Sequence, residues 1–214
     1  MRFTIGLVRQ VGAGLAVLLT LTAILGILYP AAVWGVGRLA PGSAEGSPVR
    51  DGNGCVVGSR WVGLDPQVGA GEPDPFFHAR VTGSVADTDP FAVSDPAAAL
   101  PTNQGPSSEL LAEFAAARRA AIADREGISP DRVPVDAVTG SGSGIDPHIS
   151  PEYAALQVPR VATATGLGED RVRELVREHT EGRQLGFLGA ERVNVLELNL
   201  ALGLTAPDCV PAGG

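Results

Sequence analysis

PVDAVTGSGSGIDPHIS, residues 134–150, is the stretch from which the fold of this chain is read. It joins a short apolar run, a glycine–serine loop, an acid, a histidine and a helix start. Val135 and Val138, bracketed by Pro134 and Gly140, predict a short strand or extended segment. Gly140, Gly142 and Gly144 then alternate with Ser141 and Ser143. Glycine permits positive φ and close backbone approach, so such a loop can turn several N–H groups toward an anion. No Gly-Lys-Ser/Thr follows, which excludes a Walker-type phosphate loop, and the third glycine comes too early for a dinucleotide fingerprint. The step Asp146-Pro147 favours extended backbone before the proline. Ser150-Pro151 reads as N-cap and first residue of a helix, where proline's missing N–H costs nothing.

The plain reading of this loop is a tight connector between a strand and a helix. The enzymatic alternative is a membrane-anchored serine hydrolase using Ser141 or Ser143 with His148. It lacks the Gly-x-Ser-x-Gly elbow of such enzymes. A metal site needs three or four ligands, and Asp146 with His148 supplies too few, so no metal is expected.

Downstream the pattern is helical. Residues 151–165 predict a helix ended by Gly166, with Pro159 kinking or dividing it. EDRVRELVREHTEG puts Val172, Leu175 and Val176 on one face and predicts a helix ended by Gly182. Arg183 and Gln184 come next, in a loop. Asn194 with Glu197 resembles a capping box. The run Leu196-Leu198-Leu200-Leu202 fits a buried strand as well as a helix, and its Glu, Leu and Ala content favours helix.

Upstream, Leu110, Leu111, Phe114, Ala117, Ala121 and Ile122 recur near a 3.6 period, with Ser107 or Ser108 as cap and Gly127 as stop. This predicts a helix whose Arg118, Arg119 and Arg125 are solvated. Residues 34–106 are rich in Gly, Pro, Ser and Asp. They predict an irregular arm, with a short strand at Cys55–Ser59 and an ordered contact at Phe76-Phe77. Asp-Pro steps at 65, 74, 89 and 95 interrupt regular structure.

Residues 10–37 carry no charge, and a run of about 20 apolar residues crosses a bilayer. Tyr29 and Trp34 stand where an interfacial aromatic belt would lie. Arg2 and Arg9 precede the span, which places the N-terminus in the cytoplasm and the chain beyond the span outside. A cleaved signal peptide is the alternative, but its apolar core is usually shorter. The chain therefore predicts a mixed α/β, helix-rich (α+β-like) extracytoplasmic domain tethered by one transmembrane helix at the plasma membrane. Residues 1–10 form the cytoplasmic end, 11–33 the span, 34–106 the arm, 107–206 the domain and 207–214 a tail. A net charge of −8 argues against nucleic acid. Cys55 and Cys209, the only two cysteines, are either one disulfide or two free thiols.

Two long stretches carry a resemblance: VPVDAVTGSGSGIDPHISPEYAALQVPRVA, residues 133–162, and TEGRQLGFLGAERVNVLELNLAL, residues 180–202. With the N-terminal span they resemble the KdpC family, the C subunit of the Kdp potassium-transporting P-type ATPase. Motif positions of that resemblance include Asp146, Pro147, His148, Ser150, Arg183, Gln184, Asn194, Glu197 and Asn199, taken as partner-interface or motif residues. Gly54–Ser59, Phe76–Thr82 and Thr102–Ser107 match the family's arm more loosely. The resemblance implies a non-catalytic subunit of an ATP-driven, high-affinity potassium importer, needed for assembly. Its partners would be a channel-like potassium-selective subunit, a P-type ATPase subunit and the lipid bilayer. It also implies a proposed role in raising ATP affinity, for which Gly140, Ser141, Gly142, Ser143 and Gly144 are the only plausible cradle. The inferred topology puts that loop outside the membrane, where ATP is scarce. The chain requires no cofactor of its own, and ATP would act through the complex. The Asp-Lys-Thr-Gly-Thr motif of the aspartyl-phosphate reaction is absent, as it must be in a chain without lysine.

Overall fold

The computed structural model describes residues 2–69, 71–80, 90–91, 100–101 and 103–205. The chain divides into two units, with the boundary between Ser47 and Pro48.

The first unit is helical. α1 (Arg2–Ala23) passes through a π turn (Ile24–Leu28) into α2 (Tyr29–Gly37), and a short α3 (Pro41–Ala44) comes after it. Pro30 explains the π turn. Its ring cannot sit one turn above the Gly26 carbonyl, and widening the helix by one residue relieves the clash. From Thr4 to Gly37 the helix runs for 34 residues with Arg9 as its only charge, and its most apolar stretch is exposed. At 1.5 Å per residue it is about 51 Å long, more than a hydrocarbon core of about 30 Å requires. Arg38 closes it, stacking 4.9 Å from the Trp34 ring and pairing with Glu45.

The second unit holds the mixed domain. A hairpin pairs β1 (Pro48–Arg50) with β2 (Val56–Ser59). A separate antiparallel sheet has the order β3 (His148–Ile149), β5 (Arg192–Asn194), β4 (Thr180–Glu181), with His148 opposite Asn194 and Thr180 opposite Val193. Helices α4 (Glu109–Glu126), α6 (Pro151–Thr165), α7 (Glu169–Glu178) and α8 (Val195–Ala201) accompany it. Their apolar faces share one core that includes Phe77, Ile122, Val138, Tyr153, Val161, Val172, Val193 and Leu198. With only 5% aromatic residues in the chain, valine is the commonest residue of this core. This bears out the mixed, helix-rich fold class.

The caps fall where the sequence put them. Ser108 Oγ accepts from Leu111 N, Ser150 Oγ accepts from Tyr153 N, and Gly127 and Gly166 close α4 and α6 at positive φ. Asn194 Oδ1 accepts from Glu197 N, so the ambiguous leucine run is helix, not strand. Only half of the capping box forms, because the Glu197 carboxylate turns to Arg60 Nε instead, at 3.1 Å.

Four expectations are corrected. Residues 135–138 are a helical turn, α5, not a strand. Ala137 and Val138 both bury, which neighbours on a strand cannot do on one face. α6 runs unbroken through Pro159. Pro159 and Ala155 lie on its exposed side, so the carbonyl that loses its donor faces water. α7 stops at Glu178 rather than Gly182, because His179 Nδ1 and Thr180 Oγ1 take the Leu175 and Val176 carbonyls and Thr180 starts β4. Arg118 and Arg125 are not solvated. Arg118 is 4% exposed, and Arg125 donates to the buried Tyr153 hydroxyl at 3.0 Å.

The arm is better fixed than its composition suggests. Cys55 is buried and disulfide-bonded, while Cys209 and the Asp-Pro steps at 89 and 95 lie outside the described residues. Phe77 is fully buried in the core, as its aromatic character predicted.

Candidate functional site

The loop 139–150 is a packed junction. Gly144 N donates to Ser141 O, Ile145 N to Ser143 Oγ and Asp146 N to Ser141 Oγ. With His148 N on the Asp146 carboxylate, the loop bonds four of its N–H groups internally. Gly63 N donates to Ile145 O at 2.7 Å, and a Cβ on Gly63 would lie 2.4 Å from the Asp146 carbonyl oxygen. Gly144, at φ +75°, presses in the same way on the backbone of Leu100. Val195 N donates to Pro147 O, and Ser150 donates from both N and Oγ to the Asp136 carboxylate.

Asp146 is the polar hub. Its Oδ1 accepts from His148 N at 3.0 Å and lies 3.1 Å from His148 Nδ1, and its Oδ2 accepts from Arg80 Nη1 at 3.2 Å. Burial works to raise the Asp146 pKa, but the His148 bonds and the Arg80 charge outweigh it and hold the carboxyl below its usual range. Arg80 is the cation absent from the loop's own sequence, and its Nη2 donates to the Gly140 carbonyl. Among the described residues no hydrogen bond couples Ser141 or Ser143 to His148, whose Nδ1 is held by Asp146. The serine hydrolase reading is not favoured.

Phe77 and His78 are held by two side-chain amides. Asn199 accepts from Phe77 N at 2.7 Å and donates to Phe77 O at 2.9 Å. Gln157 accepts from His78 N at 2.8 Å and donates to His78 O at 3.2 Å. Each amide copies the pairing a neighbouring strand would offer. Asn199 is therefore mostly buried in this clamp, and Asn194 Nδ2 fixes the Arg60 carbonyl nearby in the arm. Glu197 holds the side chain of the same Arg60. Arg183 and Gln184 stand apart, in an exposed hairpin where Gln184 bridges Leu188 and both Leu185 and Phe187 face solvent.

His78 was legible only as part of an aromatic cluster. Its ring lies 3.0 Å from Asp65 Oδ1 through Nδ1 and 2.7 Å from Asp74 Oδ2 through Nε2. The two Asp-Pro steps read as breakers thus supply its partners. A carboxylate lies against each ring nitrogen, an arrangement that favours the doubly protonated ring. Burial and the charge of Arg125 push its pKa down, but the bonds to Asp65 and Asp74 outweigh them and it is raised. Asp74 is held low despite its burial by His78 and Arg160.

These shifts set the sign of the pH dependence. The His78 stabilisation is fully present below its unfolded pKa of about 6.5 and is lost as pH rises through the raised folded value. That of Asp74 is present above about pH 3.9 and is lost as pH falls through its lowered value. Melting temperature measured against pH is expected to decline on the alkaline side of that His78 window. In His78→Gln the decline should flatten. An unchanged slope would exclude His78 as its source.

Among the described residues no group of three or more His, Cys, Asp or Glu side chains could hold a metal. Arg80, Arg118, Asp136 and Gln157 carry much of this geometry and were not singled out from sequence. Their partners are mostly backbone groups or distant side chains, which leave no local pattern.

Comparison with known proteins agrees with the resemblance. The family described as KdpC, K+-transporting ATPase, c chain, matches residues 11–203. A potassium-transporting ATPase KdpC subunit from Kineococcus radiotolerans is 50% identical over 201 residues, covering 94% of this chain and 96% of its own. Subunits of the same name from Streptomyces coelicolor and Methylorubrum extorquens are 44% and 46% identical, covering 93% and 92% of this chain and 94% and 97% of theirs. On that match, the chain belongs to the KdpC family, the c chain of the K+-transporting ATPase.

Proposed function

We propose that this chain is the accessory, non-catalytic subunit of an ATP-driven potassium importer, needed for assembly of the complex. The observation that carries this reading is the family match over residues 11–203, which takes in both the apolar helix and the mixed domain. The helix supports it further. Uncharged from residue 10 to 37 and exposed along its most apolar stretch, it requires lipid or partner helices around it. Arg2 and Arg9 before the span favour an N-terminus in the cytoplasm and the domain from Pro48 outside. The disulfide at Cys55 fits that side, where oxidising conditions preserve it, and Cys209, the only other cysteine, is its proposed partner.

A channel-like subunit and a P-type ATPase subunit are the proposed partners. The exposed Leu185 and Phe187, beside Arg183 and Gln184, offer an apolar tip for such a contact. The ATP-affinity role rests on resemblance alone, with the Gly140–Gly144 loop as its proposed seat.

The test is co-purification. The full chain, tagged at its C-terminus, is expressed in potassium-limited source cells and solubilised in mild detergent. A P-type ATPase and a channel-like membrane protein should co-purify in constant ratio. Recovery of the chain alone, under conditions that keep other membrane complexes intact, would refute the reading. Comparing the apparent ATP affinity of the complex with and without this chain tests the finer role, and equal affinities would remove it.

A further inference from the structure

Arg118 is a buried cation without a counter-ion among the described residues. It sits in α4 at 4% exposure. Its Nε donates to Pro90 O at 2.9 Å, its Nη1 donates to Val138 O at 3.2 Å, and its guanidinium lies 5.6 Å from the Phe114 ring. Its Nη2 has no partner. Burial pulls its pKa down, and no charge among the described residues offsets this. An uncompensated buried charge is strongly disfavoured, so such a group calls for an anion.

Arg80 repeats the pattern. Its Nη1 is on Asp146 and its Nη2 on the Gly140 carbonyl, but its Nε is buried and unpartnered. Both guanidinium groups thus hold carbonyls of one turn, residues 138–140, and each has one donor left over. Both line the same cavity of about 390 Å³. Its other charged lining residues are Asp65, Asp74, His78 and Arg125, four cations in all against two carboxylates. Those carboxylates are already engaged by His78, and Arg125 by Glu126. Arg80 is paired with Asp146, so the unbalanced charge among the lining residues is that of Arg118. Ala121, Ile122, Phe91 and Ala137 give the same cavity an apolar wall. Its volume is that of a small-ligand pocket.

We propose that this cavity binds a small oxyanion of phosphate type, free or as the head of a larger organic molecule, through the guanidinium groups of Arg118 and Arg80 that line it. The apolar wall would take the organic part. This site is separate from the glycine–serine cradle and does not depend on the transport reading.

The test is calorimetric titration of the full-length protein, in uncharged detergent, with inorganic phosphate at constant ionic strength. Saturable binding at one site per chain is expected. Arg118→Gln should weaken it by about tenfold or more, the loss of one charge-assisted hydrogen bond. Should that variant fail to fold, Ala121→Trp serves instead. Ala121 is exposed and lines the cavity one helical turn from Arg118, so a bulky side chain there narrows the entry while both guanidinium charges are kept. Its melting temperature without phosphate should stay near that of the unaltered protein while binding falls. Absence of saturable heat, or equal affinity in the unaltered protein and Ala121→Trp, overturns the proposal. Micelles doped with phosphatidylglycerol separate the sources. Displacement of phosphate identifies a lipid headgroup as a ligand, and its absence assigns the site to dissolved anions.

Discussion

Asn199→Leu is expected to lower stability by about 4 kcal/mol, from two buried backbone groups left unpaired at roughly 1–3 kcal/mol each. For a chain of this size that is a fall in melting temperature of roughly 8–16 °C. The leucine matches the amide in bulk, so the loss reports hydrogen bonding rather than a cavity. Phe77 N and Phe77 O would both lose their partner in a fully dry site. Asn199→Asp separates the two bonds. It keeps an acceptor for Phe77 N but removes the donor to Phe77 O, and should fall between the two. Thermal unfolding of the full chain in detergent measures all three. A Leu variant as stable as the unaltered protein would show that the arm is not held by this clamp.

Gly63→Ala is the second large effect, at about 3 kcal/mol, or roughly 6–12 °C. The added methyl would meet the Asp146 carbonyl oxygen at 2.4 Å and the Asp146 carbonyl carbon at 2.9 Å. Both are backbone, so no side chain can swing away. Relief requires parting Gly63 from residues 145–146 and losing the 2.7 Å bond to Ile145 O. Gly142→Ala is the matched control, since nothing lies within 4 Å of its added Cβ. Equal melting temperatures for the two variants would refute the close approach.

The helices were legible because their ends carry labels. Ser108, Ser150 and Asn194 cap, and Gly127 and Gly166 stop, by chemistry that is local in sequence. The four-residue α5 carries no such label: two valines three apart fit a turn of helix as well as a strand. The burial of Arg118 was hidden by α4 itself. FAAARRAAIA puts alanine on every side, so the arginines alone suggested which face was polar. The acceptors that draw Arg118 inward are carbonyls of Pro90 and Val138, and a carbonyl belongs to every residue.

The loop that looked like a site is similar. Glycine there was read as freedom to approach a ligand. At Gly144 the approach is real but is made by Leu100, part of the same chain. Asp146 and His148, too few for a metal site, form a local turn tied to Arg80. Gln157 and Asp136 gave no warning, since a buried amide or a half-buried carboxylate in an amphipathic pattern looks like an ordinary surface residue.

The π turn at Ile24–Leu28 changes what the long apolar helix can present to its surroundings. One extra residue in a turn rotates everything beyond it by about 100°, the angular step of a single helical residue. A stripe followed down α1 is therefore out of phase with its continuation on α2. One straight neighbour cannot track both halves along the same seam. The helix instead offers two independently oriented surfaces, joined at the point set by Pro30.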